Sequence, residues 1–133
     1  MIVAVADTHA AIWYLAADPR LSAAAKRFID TAANNGDEIA VSTITFVEMV
    51  YLIEKGKIPP QRFSELAARL EDPDSMFVEV SVDMKIARAL SRVDVGQVPD
   101  MPDRIVAATA VQLNVPIVSR DRRISLSNIQ TIW

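Results

Sequence analysis

The sequence predicts one three-layer α/β/α domain over residues 1–133, built on a mostly parallel sheet of about five strands. Three observations carry that prediction. Ile2-Val3-Ala4-Val5-Ala6 is apolar on both faces and rich in β-branched residues, as a central parallel strand covered by helices must be. Short apolar runs of this kind alternate with helical segments, which implies right-handed crossovers and helices on both faces of the sheet. Finally, 133 residues with 51% apolar side chains, 23% charged side chains and a mean hydropathy of +0.21 suit a single compact core. A chain of this length buries roughly 65–70% of the surface that its unfolded form exposes, so the core stands without disulfide or structural metal.

The elements follow in order. After the first strand, Thr8 to Ala17 reads as a helix and Leu21 to Asn34 as another, separated by Asp18-Pro19 and closed by Asn35-Gly36. Ser22 is the expected cap of the second, which places Ala25, Phe28, Ile29 and Ala32 on one face. Ile39-Ala40-Val41-Ser42 repeats the strand pattern. A third helix opens at Thr43 or Thr45 and runs to about Lys55, where Gly56 and Pro59-Pro60 end it, and a short one covers Gln61 to Leu70. Met76 to Val82 alternates as a third strand. Asp83 caps a helix over Met84 to Arg92, Val93 to Met101 is a loop, and Pro102 opens a helix reaching Leu113. Pro116-Ile117-Val118-Ser119 is the fourth strand, and Ile129 to Trp133 a fifth at the sheet edge.

Composition narrows the chemistry. With no cysteine, thiol catalysis, iron–sulfur ligation and cysteine-based zinc sites are excluded, and with His9 the only histidine, so are multi-histidine metal sites. Any metal must be held by oxygen. Fourteen Lys and Arg against seventeen Asp and Glu leave a net charge of −3, so the molecule as a whole does not attract polyanions. Three glycines form neither a dinucleotide-binding nor a P-loop motif. The first apolar run stops at Asp7, far short of the roughly 20 residues of a membrane span, and lacks a basic leader; a cytoplasmic protein without membrane contact is expected.

In such a sheet, ligands bind beyond the carboxyl ends of the strands. Asp7 directly follows the first strand, and Asp121 takes the same topological position after Ile117-Val118-Ser119. Glu48 interrupts Ile44 to Ile53, a helix apolar nearly all round and therefore expected to be buried, where a carboxylate costs several kcal/mol unless partnered. Asp103 lies in the first turn after Pro102, with Val106, Ala107 and Ala110 continuing its face inward, and Asp100 is one turn earlier. Singly, each acid reads as a helix cap, a dipole-stabilising residue or a turn residue. Together they predict one acidic cluster. Crowded carboxylates repel unless a divalent cation neutralises them, and oxygen donors suit Mg²⁺ or Mn²⁺. Such a cation activates water and stabilises charge on a phosphoryl group, which makes metal-dependent phosphodiester hydrolysis the sharpest functional reading.

Val5-Ala6-Asp7-Thr8-His9-Ala10 with Ile12-Trp13, Ser42-Thr43-Ile44-Thr45-Phe46-Val47-Glu48, Asp100-Met101-Pro102-Asp103 through Ala110, and Ile117-Val118-Ser119-Arg120-Asp121 occur in that order. In these blocks and their spacing the chain resembles the PIN-domain ribonucleases, in particular the VapC-type toxins of bacterial and archaeal toxin–antitoxin pairs. The resemblance runs nearly end to end. It implies a PIN-like fold and a Mg²⁺- or Mn²⁺-dependent endoribonuclease whose cluster maps onto Asp7, Glu48, Asp103 and Asp121, with Asp100 as a further helper. Asp7 and Asp103 are the implied direct ligands, and the hydroxyls of Thr8 and Ser119 match positions where the family places a polar group beside metal or water. It also implies RNA as substrate, a homodimer, and a small VapB-like antitoxin that covers the acidic site. Val47 departs from the aromatic residue usual before the Glu. Pro102 lies one place later than in the commoner Asp-Pro-x-Asp form, which implies a shifted helix start at Asp103.

Arg120, Arg122 and Arg123 flank Asp121 and Arg104 follows Asp103, so a local basic rim is expected, with Arg104 and Arg120 as the substrate-binding pair. Lys55 and Lys57 read as solvated surface charge. Trp13, Tyr14 and Phe46 read as core or interface, and His9 as a surface or structural residue rather than a catalytic base. The alternative function is a catalytically silent module of the same fold that grips RNA or a protein. An aspartyl-phosphate phosphatase or receiver is excluded, since His9 stands where the second Asp, two places after Asp7, would be.

Overall fold

The computed structural model describes residues 1–125 and 128–133. Five strands, β1 (Ile2–Ala6), β2 (Glu38–Ser42), β3 (Phe77–Val80), β4 (Ile117–Val118) and β5 (Thr131–Ile132), pair in the order β3-β2-β1-β4-β5, and every pairing is parallel. The mostly parallel sheet expected from sequence is thus parallel throughout, with β5 at an edge. From β1 the chain steps outward to β2 and β3, then returns across the sheet to place β4 on the other side of β1. That reversal opens a crevice above the carboxyl ends of β1 and β4, the position where open α/β sheets bind ligands.

Alternation along the strands sorts the core into two layers. Ala4, Ala6, Ile39, Val41, Phe77 and Val118 face α1 (Thr8–Leu15), α2 (Ala23–Asn34), α3 (Ile44–Glu54) and α4 (Gln61–Glu71). Val5, Ala40 and Ile117 face α5 (Met84–Ala89), α6 (Met101–Leu113) and α7 (Arg122–Ser125). Fully buried side chains such as Ile39, Phe77 and Ile117 each contribute roughly 1.5–3 kcal/mol to holding the layers together.

Helix ends are governed by short polar side chains. Ser22 accepts from the Ala25 N–H at 3.0 Å and Asp83 from the Ile86 N–H at 3.0 Å, as their positions predict. Helix α6 begins at Met101 with Asp100 as its cap, one residue before Pro102, and ends on Asn114 in a left-handed conformation with φ 55°. Helix α5 stops at Ala89 and passes into a 3-10 turn, Leu90–Arg92. Helix α7, between β4 and β5, was not legible in the sequence because it is only four residues long.

Helix α3 departs from expectation. It is not buried all round: Thr45 and Met49 are enclosed, whereas Val47, Val50 and Tyr51 are 50%, 43% and 59% exposed. Composition indicated an interior helix, but α3 lies at the border of the fold with only one stripe against the body. Among the described residues, no helix is long and apolar enough to cross a membrane.

Candidate active site

The crevice between β1 and β4 holds a cavity of about 400 Å³ lined by Asp7, Glu48, Asp100, Asp103 and Asp121, together with His9, Trp13, Arg20 and Arg120. All five acids singled out from sequence therefore line one cavity. They arrive from four parts of the chain: Asp7 from the end of β1, Glu48 from the middle of α3, Asp100 and Asp103 from the start of α6, and Asp121 from just beyond β4.

Local structure fixes their orientation. Asp7 caps α1, its Oδ1 accepting from the Ala10 N–H at 2.8 Å, so the bland role of a capping residue and a place in the cavity are both realised. Buried Ser119 ties the two strand ends together. Its hydroxyl donates to Asp7, while its oxygen accepts from the Asp121 N–H at 3.0 Å. Asp100 accepts from the Asp103 N–H at 3.3 Å, which places both acids on the same first turn of α6.

Crowding shows in the electrostatics. Burial pushes Asp103 up to about 7, helped by the negative charges of Asp100, Asp121 and Glu48 and by a hydrogen bond with Asp121. Burial likewise raises Asp7, with Glu48 adding to the shift, although Ser119, the Ala10 N–H and His9 pull it back. Among the described residues, no three acidic or histidine side chains gather round one point. The carboxylates line the cavity without forming such a group. Their donor chemistry fits a hard divalent cation, since oxygen is the only ligand type present in quantity and a cation would offset both the burial and the repulsion.

Several expected substrate contacts lie elsewhere. Arg104 is committed to the fold, because its guanidinium donates to the carbonyls of Leu90 at 2.9 Å and Val93 at 3.2 Å. It staples the loop before α6 rather than lining the cavity. Arg104→Ala is therefore expected to lower unfolding stability in urea by about 2 kcal/mol, the usual cost of hydrogen bonds made by a charged group. A loss of RNA affinity equal to that of Arg120→Ala, with stability unchanged, would restore the substrate role. Thr8 is enclosed and bonded to Thr45 through their hydroxyls at 3.1 Å, so it locks the start of α1 to α3 and touches the cavity only indirectly.

Other groups at the site were not found from sequence. Trp13 is buried, as expected of a core aromatic, but its ring carries two cations: the guanidinium carbons of Arg120 and Arg20 lie 4.6 Å and 4.9 Å from the ring centroid. Arg20 is also held by Asp18, at 2.7 and 3.0 Å. No linear pattern marks Arg20, which reaches the cavity only because the turn after α1 folds back over the indole. His9 is exposed, packs with its ring tilted at 46° and 5.4 Å from that of Trp13, and lines the same cavity, so it is a surface residue with a place at the site.

An all-parallel sheet in this strand order, with acids at the carboxyl edge of its central strands, defines a PIN-like α/β/α protein. The chain belongs to the PIN domain family, which it matches over residues 4–129. It is 29% identical over 124 residues to Ribonuclease VapC22 of Mycobacterium tuberculosis, covering 93% of this chain and 91% of that protein. A crystal structure of VapBC2 from Rickettsia felis bound to a DNA fragment from their promoter shares the fold with a TM-score of 0.71 and 18% identity, over 98% of this chain and 97% of that one. FitAcB from Neisseria gonorrhoeae (TM-score 0.60, 18% identity, 98% and 96% coverage) and a toxin–antitoxin complex from Klebsiella pneumoniae (0.58, 24%, 89% and 86%) share it as well.

Proposed function

We propose that the chain is a Mg²⁺- or Mn²⁺-dependent endoribonuclease, the toxin of a type II toxin–antitoxin pair, acting in the cytoplasm as one PIN domain over residues 1–133. The observation that carries this reading is the convergence of five carboxylates from four parts of the chain on one cavity. Likeness to a ribonuclease, VapC22, supports RNA as the substrate, and likeness to VapBC2 and to a toxin–antitoxin complex supports a VapB-like antitoxin as partner. A homodimer is supported by the unpartnered apolar stripe of Val47, Val50 and Tyr51.

Asp7 and Asp103 would hold the cation directly, with Glu48 and Asp121 completing the donor set and Asp100 helping from the cap of α6. When bound, a divalent cation supplies Lewis-acid stabilisation of the phosphodiester and lowers the pKa of water. The chain's own residues do the rest. Ser119 aims Asp7 and favours its charged form against the burial that raises it, and Glu48 and Asp121 would orient the attacking water and accept its proton. Arg120 and Arg20, held on Trp13, offset the charge of the phosphate being cleaved. The expected products carry a 3′-hydroxyl and a 5′-phosphate.

The test is brief induced expression followed by sequencing of RNA ends, with wild type beside Asp7→Asn, and calorimetric titration of both with Mn²⁺. Discrete new 5′ ends and a binding heat, both lost in the variant, are expected. Cleavage that persists in chelator overturns metal dependence. Absence of both cleavage and any Mn²⁺ heat that depends on Asp7 and Asp103 leaves a catalytically silent module that binds RNA or a protein.

A further inference from the structure

Beside the acidic cavity lies a second one of about 280 Å³ that shares His9, Trp13 and Arg20 with it. Its walls are apolar at Ile12, Leu52, Ile58 and Pro59, and Lys57 and Arg62 stand among its lining residues. Charge reverses across the shared wall. On one side five carboxylates face Arg20 and Arg120; on the other Arg20 is paired with Asp18 and Arg62 with Glu65 at 2.7 Å, which leaves Lys57 as the lining cation without an ion-pair partner among the described residues. Asp18 is moreover already taken by Arg20, with both its oxygens bonded. Lys57, read from sequence as ordinary surface charge, is thus part of a concave surface continuous with the site.

A ligand lying across both cavities must be anionic at intervals and carry a flat apolar body between its charges. An unpaired nucleotide chain has that sequence of groups: phosphate, base, phosphate. A basic peptide suits the acids but is repelled by Lys57, and a paired base cannot enter an apolar hollow of this size. We propose that the second cavity is the subsite for the nucleoside next to the cleaved phosphate of a single-stranded RNA. Its base lies against Ile12, Leu52 and Ile58, and the next phosphate meets Lys57. The inference rests on the ribonuclease reading, and it locates the base preference of cleavage in the hollow between α1, α3 and the start of α4.

The test uses the full chain carrying Asp7→Asn, in which cleavage is slow on the timescale of binding, and a short unstructured RNA with a fluorescein at its 5′ end, followed by anisotropy. Adding Lys57→Glu or Ile58→Trp is expected to weaken binding roughly tenfold. Lys57→Glu also reduces the dependence of log affinity on log salt by about 0.7, the share of one phosphate contact on a single strand. Ile58→Trp leaves that slope alone and, with Asp7 restored, flattens the base preference at one position beside the cut. Affinity within twofold and an unchanged cleavage pattern, in variants that melt like wild type, overturn the subsite while the nuclease reading stands. Conversely, wild type that cuts no RNA, yet binds it through Lys57, overturns the nuclease reading and leaves an RNA groove. Variants that spare RNA but abolish antitoxin binding overturn the subsite in favour of a protein-docking surface.

Discussion

Asp7→Asn will slow RNA cleavage by roughly 10³-fold, about 4 kcal/mol of activation free energy, and will leave the protein folded. The two halves of that expectation have separate causes. Asparagine keeps the side-chain oxygen that accepts from the Ala10 N–H, so the cap of α1 survives and the helix start does not fray. It loses the negative charge, and with it the contribution of the deepest carboxylate in the cavity to holding a divalent cation. Because burial and Glu48 already raise Asp7, removing its charge relieves the site rather than straining it, and the melting temperature will not fall. Single-turnover cleavage of a defined RNA, run beside a thermal melt, checks both halves. A stable variant that cuts at the wild-type rate would remove Asp7 from the chemistry.

Divalent-cation binding will strengthen as pH rises through about 7, while the metal-free protein loses stability over the window below it. Asp103 is raised in the folded chain from 3.8 to about 7. Between those values the native state holds more protons than the unfolded chain, so unfolding free energy decreases with rising pH until the native group has also ionised. A proton and a cation compete for the same oxygens, so the cation binds best where the proton has left and releases one when bound below that pH. Mg²⁺ at about 100 times its Kd adds about 2.7 kcal/mol of stability, which for a chain of this size raises Tm by roughly 8–12 °C. Asp103→Asn should reduce the pH slope, leaving the share that the raised Asp7 contributes. It should also raise the Tm of the metal-free protein at pH 8 by roughly 3–5 °C, since about 1 kcal/mol of repulsion remains after solvent screening. Melts across pH 5 to 8 with and without Mg²⁺ decide the matter. A Tm that rises with pH in the metal-free protein would contradict the assignment.

Strand positions, caps and the identity of the five acids were legible because they depend on local chemistry. Ser22, Asp83 and Asp7 cap helices wherever they fall just before one, and Ile2–Ala6 must be an inner strand because both its faces are apolar. Arg104 and α3 were misread for a common reason: a side chain's partner depends on what the fold brings beside it. Arg104 follows Asp103 in sequence, but one position along a helix turns its side chain by about 100°, toward Leu90 and Val93 and away from the acids. Helix α3 is as apolar as an interior helix, and nothing in its residues says that one stripe is left uncovered.

By itself the sequence determined a parallel α/β fold and the five acids that line the cavity, since periodicity and residue type are properties of the chain. Only the tertiary structure decided which groups share a cavity. The return of the chain from β3 across the sheet to β4 sets Asp121 and Ser119 beside Asp7, and the turn after α1 lays Arg20 over Trp13 opposite Arg120. Such proximities arise from burying both faces of one sheet at once, a condition satisfied by the whole chain and written in no single segment of it.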